Sequence, residues 1–213
     1  MLITNLFFFL LFFQPLINNS FYLIDKTIVI ENNVYEDIDP FIDDLYYQDK
    51  KTRSIGRANL LRIARQSRSF RKSVTDSLIR VLSDERLLTY QKEFRYQTWY
   101  DAAQLLGELK AVEAIDLLVE HLDYTGDKND ISLNYYPAIE VLAKLTPTST
   151  SKLTKVLSEH KNLTIRINAA RCLGLINNEE ARIALLKALS LEKDPKVQEQ
   201  IQLELNKWVM VCS

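Results

Sequence analysis

Residues 168–176 of this chain are NAARCLGLI, and residues 101–109 are DAAQLLGEL, so Ala, Ala, Leu and Gly recur in the same order. The two segments stand 67 residues apart, and the same offset relates Leu122 to Leu189 further along. An offset that is held through two apolar segments and the turn between them indicates two repeats of about 33 residues each. The apolar spacing within each segment is helical. The repeat is therefore predicted to be a pair of helices.

Further copies of the pattern lie on both sides of these two. Residues 137–145 (PAIEVLAKL) place Ala and Leu at equivalent positions and form a third copy. Residues 194–198 (DPKVQ) repeat the opening of residues 162–166 (NLTIR), which indicates a half copy at the end. A diverged first copy is predicted over residues 53–66, with Phe, Val and Leu at helical spacing in the segment that follows.

The composition agrees with helices joined by short links. The chain has 213 residues, of which only 4 are Gly and 5 are Pro, while 47% are hydrophobic. Because one hairpin cannot bury its apolar face alone, successive copies must stack. The sequence predicts an all-α fold, an α-solenoid of about four stacked helical hairpins over residues 50–213. Residues 83–97 are predicted to be a longer connection, after which the next first helix begins at Trp99 and Tyr100.

The motif Asn162-x-x-Ile165-Arg166-x-x-Ala169-Ala170-x-x-Leu173-Gly174, with the matching run at residues 102–109, resembles the short HEAT-like repeats of the kind found in phycobilisome lyase subunits. The resemblance extends over about residues 50–210 and implies a HEAT/armadillo-like superhelix. Repeats of this kind serve as scaffolds, regulatory subunits and adaptor proteins alike, so the resemblance is specific for fold and not for function. It leaves open a lyase-like or regulatory enzyme subunit.

The N-terminal segment has the character of an export signal. Residues 1–24 contain no Asp, Glu, Lys or Arg, and the apolar run at residues 6–13 (LFFFLLFF) is followed by Gln14 and Pro15. A short apolar core with a helix breaker behind it is typical of a signal peptide. Residues 1–20 are therefore expected to be a signal peptide, with an uncleaved membrane anchor as the alternative. The protein is then periplasmic or extracellular, or anchored in the inner membrane.

An acidic leader is expected to follow over residues 21–49. Between residues 25 and 49, Lys26 is the only basic residue. Residues 27–30 (TIVI) have the β-branched composition of a short strand, although an extended segment remains an alternative. Apolar residues at helical spacing after Pro40 predict a short helix that caps the first repeat.

Groups able to carry catalysis are few. The only histidines are His121 and His160, each predicted near the end of a second helix and without a second ligand at metal-binding spacing. Cys172 falls in an apolar helical stretch, and a disulfide between it and Cys212 remains open in an oxidising compartment. We expect no catalytic residue, no metal and no cofactor, and hence not an enzyme. A net charge of −1 also argues against nucleic-acid binding.

Two features suggest where a partner binds. Residues 50–80 carry ten Lys or Arg residues against the single acid Asp76, and they offer either an anionic surface-binding site or charges neutralised by the acidic leader. Aromatic residues crowd the long connection, where they serve either as interface anchors or as packing between repeats. The residues that we expect to contact a partner are Arg62, Arg65, Arg68, Arg71, Lys72, Tyr96, Trp99, Tyr100 and Tyr135.

The function expected from the sequence is that of an exported, non-catalytic scaffold that binds an unidentified protein on the face built from second helices. An enzyme subunit remains one alternative. The other is a membrane-surface protein held by the N-terminal segment and by residues 50–80.

Overall fold

The structure is a computed structural model that describes residues 27–30, 33–89, 93–125 and 136–211. The chain divides into two compact units, one up to Ile38 and one from Asp39 onward. The predicted signal or anchor, residues 1–20, lies outside the described residues. Among the residues described, no helix is both long enough and apolar enough to cross a membrane.

The first unit contains a β-hairpin made of β1 (Thr27–Ile30) and β2 (Asn33–Glu36). The two strands pair antiparallel, with Thr27 opposite Glu36 and Ile30 opposite Asn33. A run of four β-branched residues favours a strand, since their side chains fit the pleated surface. Of the two alternatives for residues 27–30, the strand is therefore the one observed.

The second unit is built from helices. Their bounds are α1 Asp39–Asp44, α2 Lys50–Ala64, α3 Arg68–Leu82, α4 Glu85–Thr89, α5 Glu93–Glu108, a 3₁₀ turn Val112–Ala114, α6 Ile115–Glu120, α7 Pro137–Lys144, α8 Thr148–Glu159, α9 Leu163–Ile176, α10 Glu179–Leu191 and α11 Pro195–Val211.

The helices of the second unit form a stack of hairpins in two layers. The described residues contain four pairs, α2/α3, α5/α6, α7/α8 and α9/α10, followed by α11. Each first helix contacts the next one, from α2 through α5, α7 and α9 to α11. In the layer of second helices, α8 contacts both α6 and α10. The predicted all-α solenoid of about four hairpins is confirmed, and α11 is the predicted half copy.

Polar side chains define where several helices begin. Asp49 precedes α2 and accepts a hydrogen bond from the Thr52 amide at 2.8 Å. Asn178 precedes α10 and accepts one from the Ala181 amide at 2.8 Å. Ser67 caps α3 in the same way. Because the first amides of a helix have no partner within it, such caps contribute about 1 kcal/mol each.

A side-chain hydrogen bond to the preceding backbone recurs at the first turn of three first helices. Arg53, Arg166 and Gln198 each donate a side-chain hydrogen bond to the carbonyl oxygen six positions earlier, at 3.0, 2.9 and 2.7 Å. The chain therefore enters α2, α9 and α11 through the same clamp. These contacts show that the diverged first copy and the final half copy follow the geometry of the clear repeats.

Small residues let neighbouring first helices approach closely. Ala102 and Ala169 are fully buried. A Cβ at Gly107 would lie 3.3 Å from Cγ1 of Val141, and one at Gly174 would overlap the carboxylate of Glu204. The glycines that recur with the 67-residue offset thus both face the following first helix. Close packing explains why a residue that weakens a helix interior occurs there.

The connection after the first hairpin differs from the sequence prediction. Residues 83–97 include the short helix α4, and α5 begins at Glu93 instead of Trp99. Tyr96 and Trp99 stand three residues apart and both face the core, so they extend the buried side of α5 toward its N-terminus. The prediction that the helix begins at Trp99 was wrong, because this packing continues the helix upstream.

Candidate interaction surface

Three arginines of the basic stretch are bound within the repeat domain. Arg53 pairs with Asp101 of α5 at 2.9 Å, and both side chains are nearly buried. Arg57 pairs with the same carboxylate at 2.7 Å and with Glu108 at 3.1 Å. The first helix of the next repeat therefore neutralises these charges. Intramolecular neutralisation, one of the two alternatives for this stretch, thus applies to Arg53 and Arg57, with acids contributed by α5.

Arg71 is also used inside the fold. Its guanidinium donates to the carbonyl oxygens of Leu109 and Lys110, at 2.7 and 3.1 Å, just beyond the end of α5. A cation at a helix C-terminus satisfies carbonyls that have no partner in the helix and complements the dipole. A pairing with Glu113 follows at 3.8 Å. Arg71 therefore connects α3 to the end of α5, and its position does not leave the guanidinium free for a partner.

The other four basic residues expected to contact a partner are exposed. Arg62 lies on α2, while Arg65 and Arg68 flank the turn between α2 and α3. Lys72 pairs with Asp76 at 2.6 Å on the exposed side of α3, an arrangement that contributes little to stability. The side chains of Arg65 and Arg68 make no hydrogen bond or ion pair within the described part of the chain. Arg65 and Arg68 therefore remain accessible to an anionic partner.

The aromatic residues pack in the core between repeats. Trp99 has 0% exposure, and its Nε1 donates to the Leu82 carbonyl oxygen at 3.2 Å. The Tyr96 ring is buried and stacks on Tyr124 with 6.2 Å between centroids. Trp99 therefore has no surface for a partner, and Tyr96, at 9% exposure, has very little. Of the two interpretations, packing between repeats is the one observed for both residues. Tyr100 is partly exposed, and Tyr135 lies outside the described residues.

The same aromatic cluster sets the state of two titratable groups. Tyr124 donates its hydroxyl to the Leu87 carbonyl oxygen at 3.0 Å, and burial raises its pKa to about 12. The His121 ring meets Trp99 edge-on at 6.2 Å. Burial also lowers the pKa of His121, because desolvation disfavours the imidazolium. His121 follows the last residue of α6, as its sequence position predicts.

The remaining reactive groups are held in structural contacts. Cys172 is fully buried with a free thiol, and its Sγ lies 3.5 Å from the Ile139 carbonyl oxygen. Burial raises the pKa of this thiol well above its usual range. Nδ1 of His160 accepts a hydrogen bond from the Asn162 amide at 3.1 Å. The described residues include no group of three His, Cys, Asp or Glu side chains that is placed to hold a metal ion.

The solvent side of the second helices forms a surface of charged residues with an apolar end. Lys152 of α8 pairs with Asp116 of α6 at 2.6 Å, which connects adjacent repeats across this side. On α10, Ile183 and Leu186 are 57% and 47% exposed, opposite the buried Ala184 and Ala188. We call this the second-helix surface. Its exposed residues include Lys72, Asp76, Asp116, Glu120, Lys155, Glu159, Ile183 and Leu186.

A cleft between α1 and α3 was missed by the sequence analysis. It has a volume of about 750 Å³ and is open to solvent. The α1–α3 cleft is lined by Asp39, Ile42, Asp43, Tyr46, Ser77, Arg80, Val81, Asp84 and Arg86. The only local signal was the acid–base spacing of Asp84 and Arg86, because the other wall comes from a helix some forty residues earlier.

Three of the polar residues that line the cleft, Tyr46, Asp84 and Arg86, are connected by hydrogen bonds. The Arg86 guanidinium makes a fork with Asp84, with contacts at 2.9, 3.1 and 2.6 Å, and the Tyr46 hydroxyl donates to the same carboxylate at 3.1 Å. Hydrogen bonds from Arg86 hold the pKa of Asp84 at about 2. The pKa of Tyr46 is raised to about 12, mainly by burial and to a smaller extent by the negative charge of Asp84. The carboxylate is therefore saturated by its own neighbours.

Hairpins that stack in two layers, with equivalent clamps and equivalent close contacts, define an α-solenoid. Residues 135–206 match the family described as HEAT repeats, and residues 100–124 match the PBS lyase HEAT-like repeat. These matches support a HEAT-repeat protein, as the sequence resemblance implies. No curated protein matches it.

Three solved structures that are similar to the chain are engineered or designed proteins. One engineered protein has 20% identity and a TM-score of 0.37, covering 78% of this chain and 77% of its own. A second engineered protein has 23% identity and a TM-score of 0.36, covering 78% of each chain. A designed armadillo repeat protein has 18% identity and a TM-score of 0.29, covering 80% of this chain and 99% of its own.

Proposed function

We propose that this HEAT-repeat protein is an exported, non-catalytic scaffold that binds a protein partner on its second-helix surface. A repeat scaffold of this class supports protein interaction in general. One observation carries the choice of surface. On α10 the exposed residues Ile183 and Leu186 stand three positions apart, whereas the exposed apolar residues of the first helices, Ile55, Leu175 and Leu203, lie on three separate helices.

The non-catalytic part of the proposal is supported by the environment of the reactive side chains. Cys172 has no exposure, and burial favours its protonated thiol, which is a poor nucleophile. His121 packs against Trp99, and His160 accepts a hydrogen bond from a backbone amide. The alternative of a lyase-like or regulatory enzyme subunit predicts turnover that depends on one of these side chains.

The export part is supported by the apolar, uncharged residues 1–24 and the acidic residues that follow them. Expression of the full chain followed by N-terminal sequencing of the exported fraction tests it. We expect a new N-terminus near residue 20. An intact Met1 on protein recovered from a membrane fraction would favour the anchor, and an intact Met1 on unexported protein would contradict export.

Affinity capture with matched variants tests the docking surface. Ile183→Asp changes an exposed residue of the second-helix surface, and Leu203→Asp makes the same kind of change on the exposed side of α11, a first helix. We expect the partner captured by the wild type to be lost with Ile183→Asp and retained with Leu203→Asp. Equal retention by both variants would contradict the proposed surface.

The alternative of a membrane-surface protein depends on Arg65 and Arg68, since Arg53, Arg57 and Arg71 are bound internally. Vesicles of anionic and of neutral lipid distinguish it from the scaffold. Binding to anionic vesicles that is abolished by Arg65→Glu with Arg68→Glu would favour the membrane alternative. Binding to neither kind of vesicle agrees with the scaffold.

A further inference from the structure

Two charged side chains that line the α1–α3 cleft, one basic on α3 and one acidic on α1, lack an ion pair among the described residues. Arg80 of α3 is exposed, and its guanidinium donates to Oγ of Ser77 at 2.7 Å. Asp43 of α1 is exposed as well. Among the residues that the structure describes, neither side chain makes an ion pair. This differs from Asp84 and Arg86 at the end of the cleft, which neutralise each other.

The cleft also has apolar lining residues. Val81 is almost fully buried, Ile42 is partly buried, and the Tyr46 ring lies beside them. The Arg86 guanidinium lies 6.0 Å from the centroid of the Tyr46 ring, which holds that ring at the edge of the cleft. A volume of about 750 Å³ is within the range of sites that enclose a small ligand or several residues of a peptide.

The distribution of charge restricts what can bind. A polyanion such as a phosphorylated ligand would meet the carboxylates of Asp39 and Asp43 against the single cation Arg80, because Arg86 and Asp84 neutralise each other. A purely cationic ligand would meet Arg80. A ligand that fits must carry both signs of charge, separated by an apolar group. A peptide segment with an acidic and a basic residue on either side of an apolar residue has this composition.

We propose that the α1–α3 cleft binds a peptide segment of a partner protein, whose carboxylate pairs with Arg80 and whose Lys or Arg pairs with Asp43. An apolar side chain of the peptide lies on Ile42, Val81 and Tyr46. The inference rests on the proposed scaffold function, because it names a second contact site for a protein partner. It assigns that contact to the N-terminal end of the helical unit, away from Ile183 and Leu186.

Selection from a random nine-residue peptide library against the full chain tests the proposal. We expect the selected peptides to share an acidic and a basic residue around an apolar one. Their affinity, measured by fluorescence anisotropy, is expected to fall at least about tenfold with Arg80→Glu and with Asp43→Lys, because each reversal turns an attraction into a repulsion. Lys196→Glu and Glu199→Lys, exposed residues of α11 outside both the cleft and the second-helix surface, serve as matched controls that leave affinity unchanged.

A charge swap excludes a folding defect as the cause. The double variant Arg80→Glu with Asp43→Lys should recover binding to a peptide whose acidic and basic positions are exchanged. Selected peptides that bind the reversed variants as well as the wild type, or a selection without binders, would overturn the cleft proposal. Loss of the captured partner by Ile183→Asp but not by the cleft variants would leave the scaffold function intact, so the two proposals fail separately.

Discussion

Substitution of Gly56 by Ala tests whether α1 is fixed onto the first repeat by close packing. A Cβ added at Gly56 would lie 2.6 Å from Cβ of Asp44 and 2.9 Å from the carbonyl oxygen of Phe41. The second contact is with backbone, so it cannot be relieved by rotation of a flexible side chain. To accept the methyl group, α1 must move away from α2. That movement would expose Phe41 and Leu45, which are buried in the native structure.

Two opposing effects determine how much Gly56→Ala changes the free energy of unfolding. Forcing a methyl group into a filled space costs about 1–3 kcal/mol. Replacing Gly by Ala inside a helix returns up to about 1 kcal/mol. We therefore expect Gly56→Ala to lower the free energy of unfolding by about 1–2 kcal/mol. For a domain of this size, 1 kcal/mol corresponds to a shift of about 2–4 °C in the melting temperature.

Gly107→Ala is the matched control, because it adds the same methyl group to another first helix. Its Cβ would lie 3.3 Å from Cγ1 of Val141, a side-chain atom that needs to move by only a few tenths of an ångström. The gain in helix propensity should balance this cost, leaving the melting temperature within about 2 °C of the wild type. Thermal denaturation followed by circular dichroism measures both variants. If Gly56→Ala melts with or above Gly107→Ala, the inferred tight contact between α1 and α2 is wrong.

Three further predictions concern the ion pairs. Arg53→Met should destabilise the fold by about 2–3 kcal/mol in urea denaturation, because Asp101 would then keep only one arginine in a nearly buried site; an unchanged midpoint would contradict this. Arg71→Ala should lower the free energy of unfolding by about 1 kcal/mol, because Arg71 caps the end of α5. Lys72→Ala, which removes only an exposed ion pair, should lower it by less than about 0.5 kcal/mol. Equal effects of the two variants would argue against the capping role. Asp84 has a pKa of about 2 against an ordinary 3.8, so its contribution is present above pH 4 and is lost as the pH falls through 2. Asp84→Asn should therefore flatten the loss of stability between pH 4 and pH 2, and an acid limb identical to that of the wild type would contradict the assignment.

The repeat architecture was predictable because its signal is local. The 67-residue offset and the Ala, Leu and Gly positions specify a helix pair, and a helix pair with one apolar face must stack on another. The sequence of residues 27–30 predicts extended backbone only, since a short β-branched run fits either a strand or an extended segment. The sequence pattern puts the start of α5 at Trp99, six residues after its observed start at Glu93, because the recognisable repeat begins only there.

The surface could not be predicted in the same way, because each charged residue depends on a partner far away in the sequence. Arg53 pairs with Asp101, which follows it by 48 positions in the sequence. Arg71 donates to two carbonyl oxygens that follow it by 38 and 39 positions. Composition identifies a basic stretch, but only the packing of neighbouring repeats decides which of its residues remain exposed. Trp99 illustrates the same point for an aromatic residue, since burial against the preceding hairpin excludes it from an interface.

This division of the basic stretch bears on where a solenoid binds its partners. Side chains that connect repeats must match the next repeat along the stack, so their charges are already neutralised when a partner arrives. Arg53 and Arg57 lie in that position. Arg80 occurs in the same basic stretch but faces a wall made by α1, which is not a repeat helix and offers it no carboxylate in an ion pair. Asp43 on that wall is likewise without an ion pair among the described residues. Within the part of the chain that the structure describes, Arg80 and Asp43 thus lack an ion pair at the place where the regular stack meets an irregular element. For this reason the junction of α1 with the first hairpin is a stronger candidate for recognition than the regular first-helix layer that follows it.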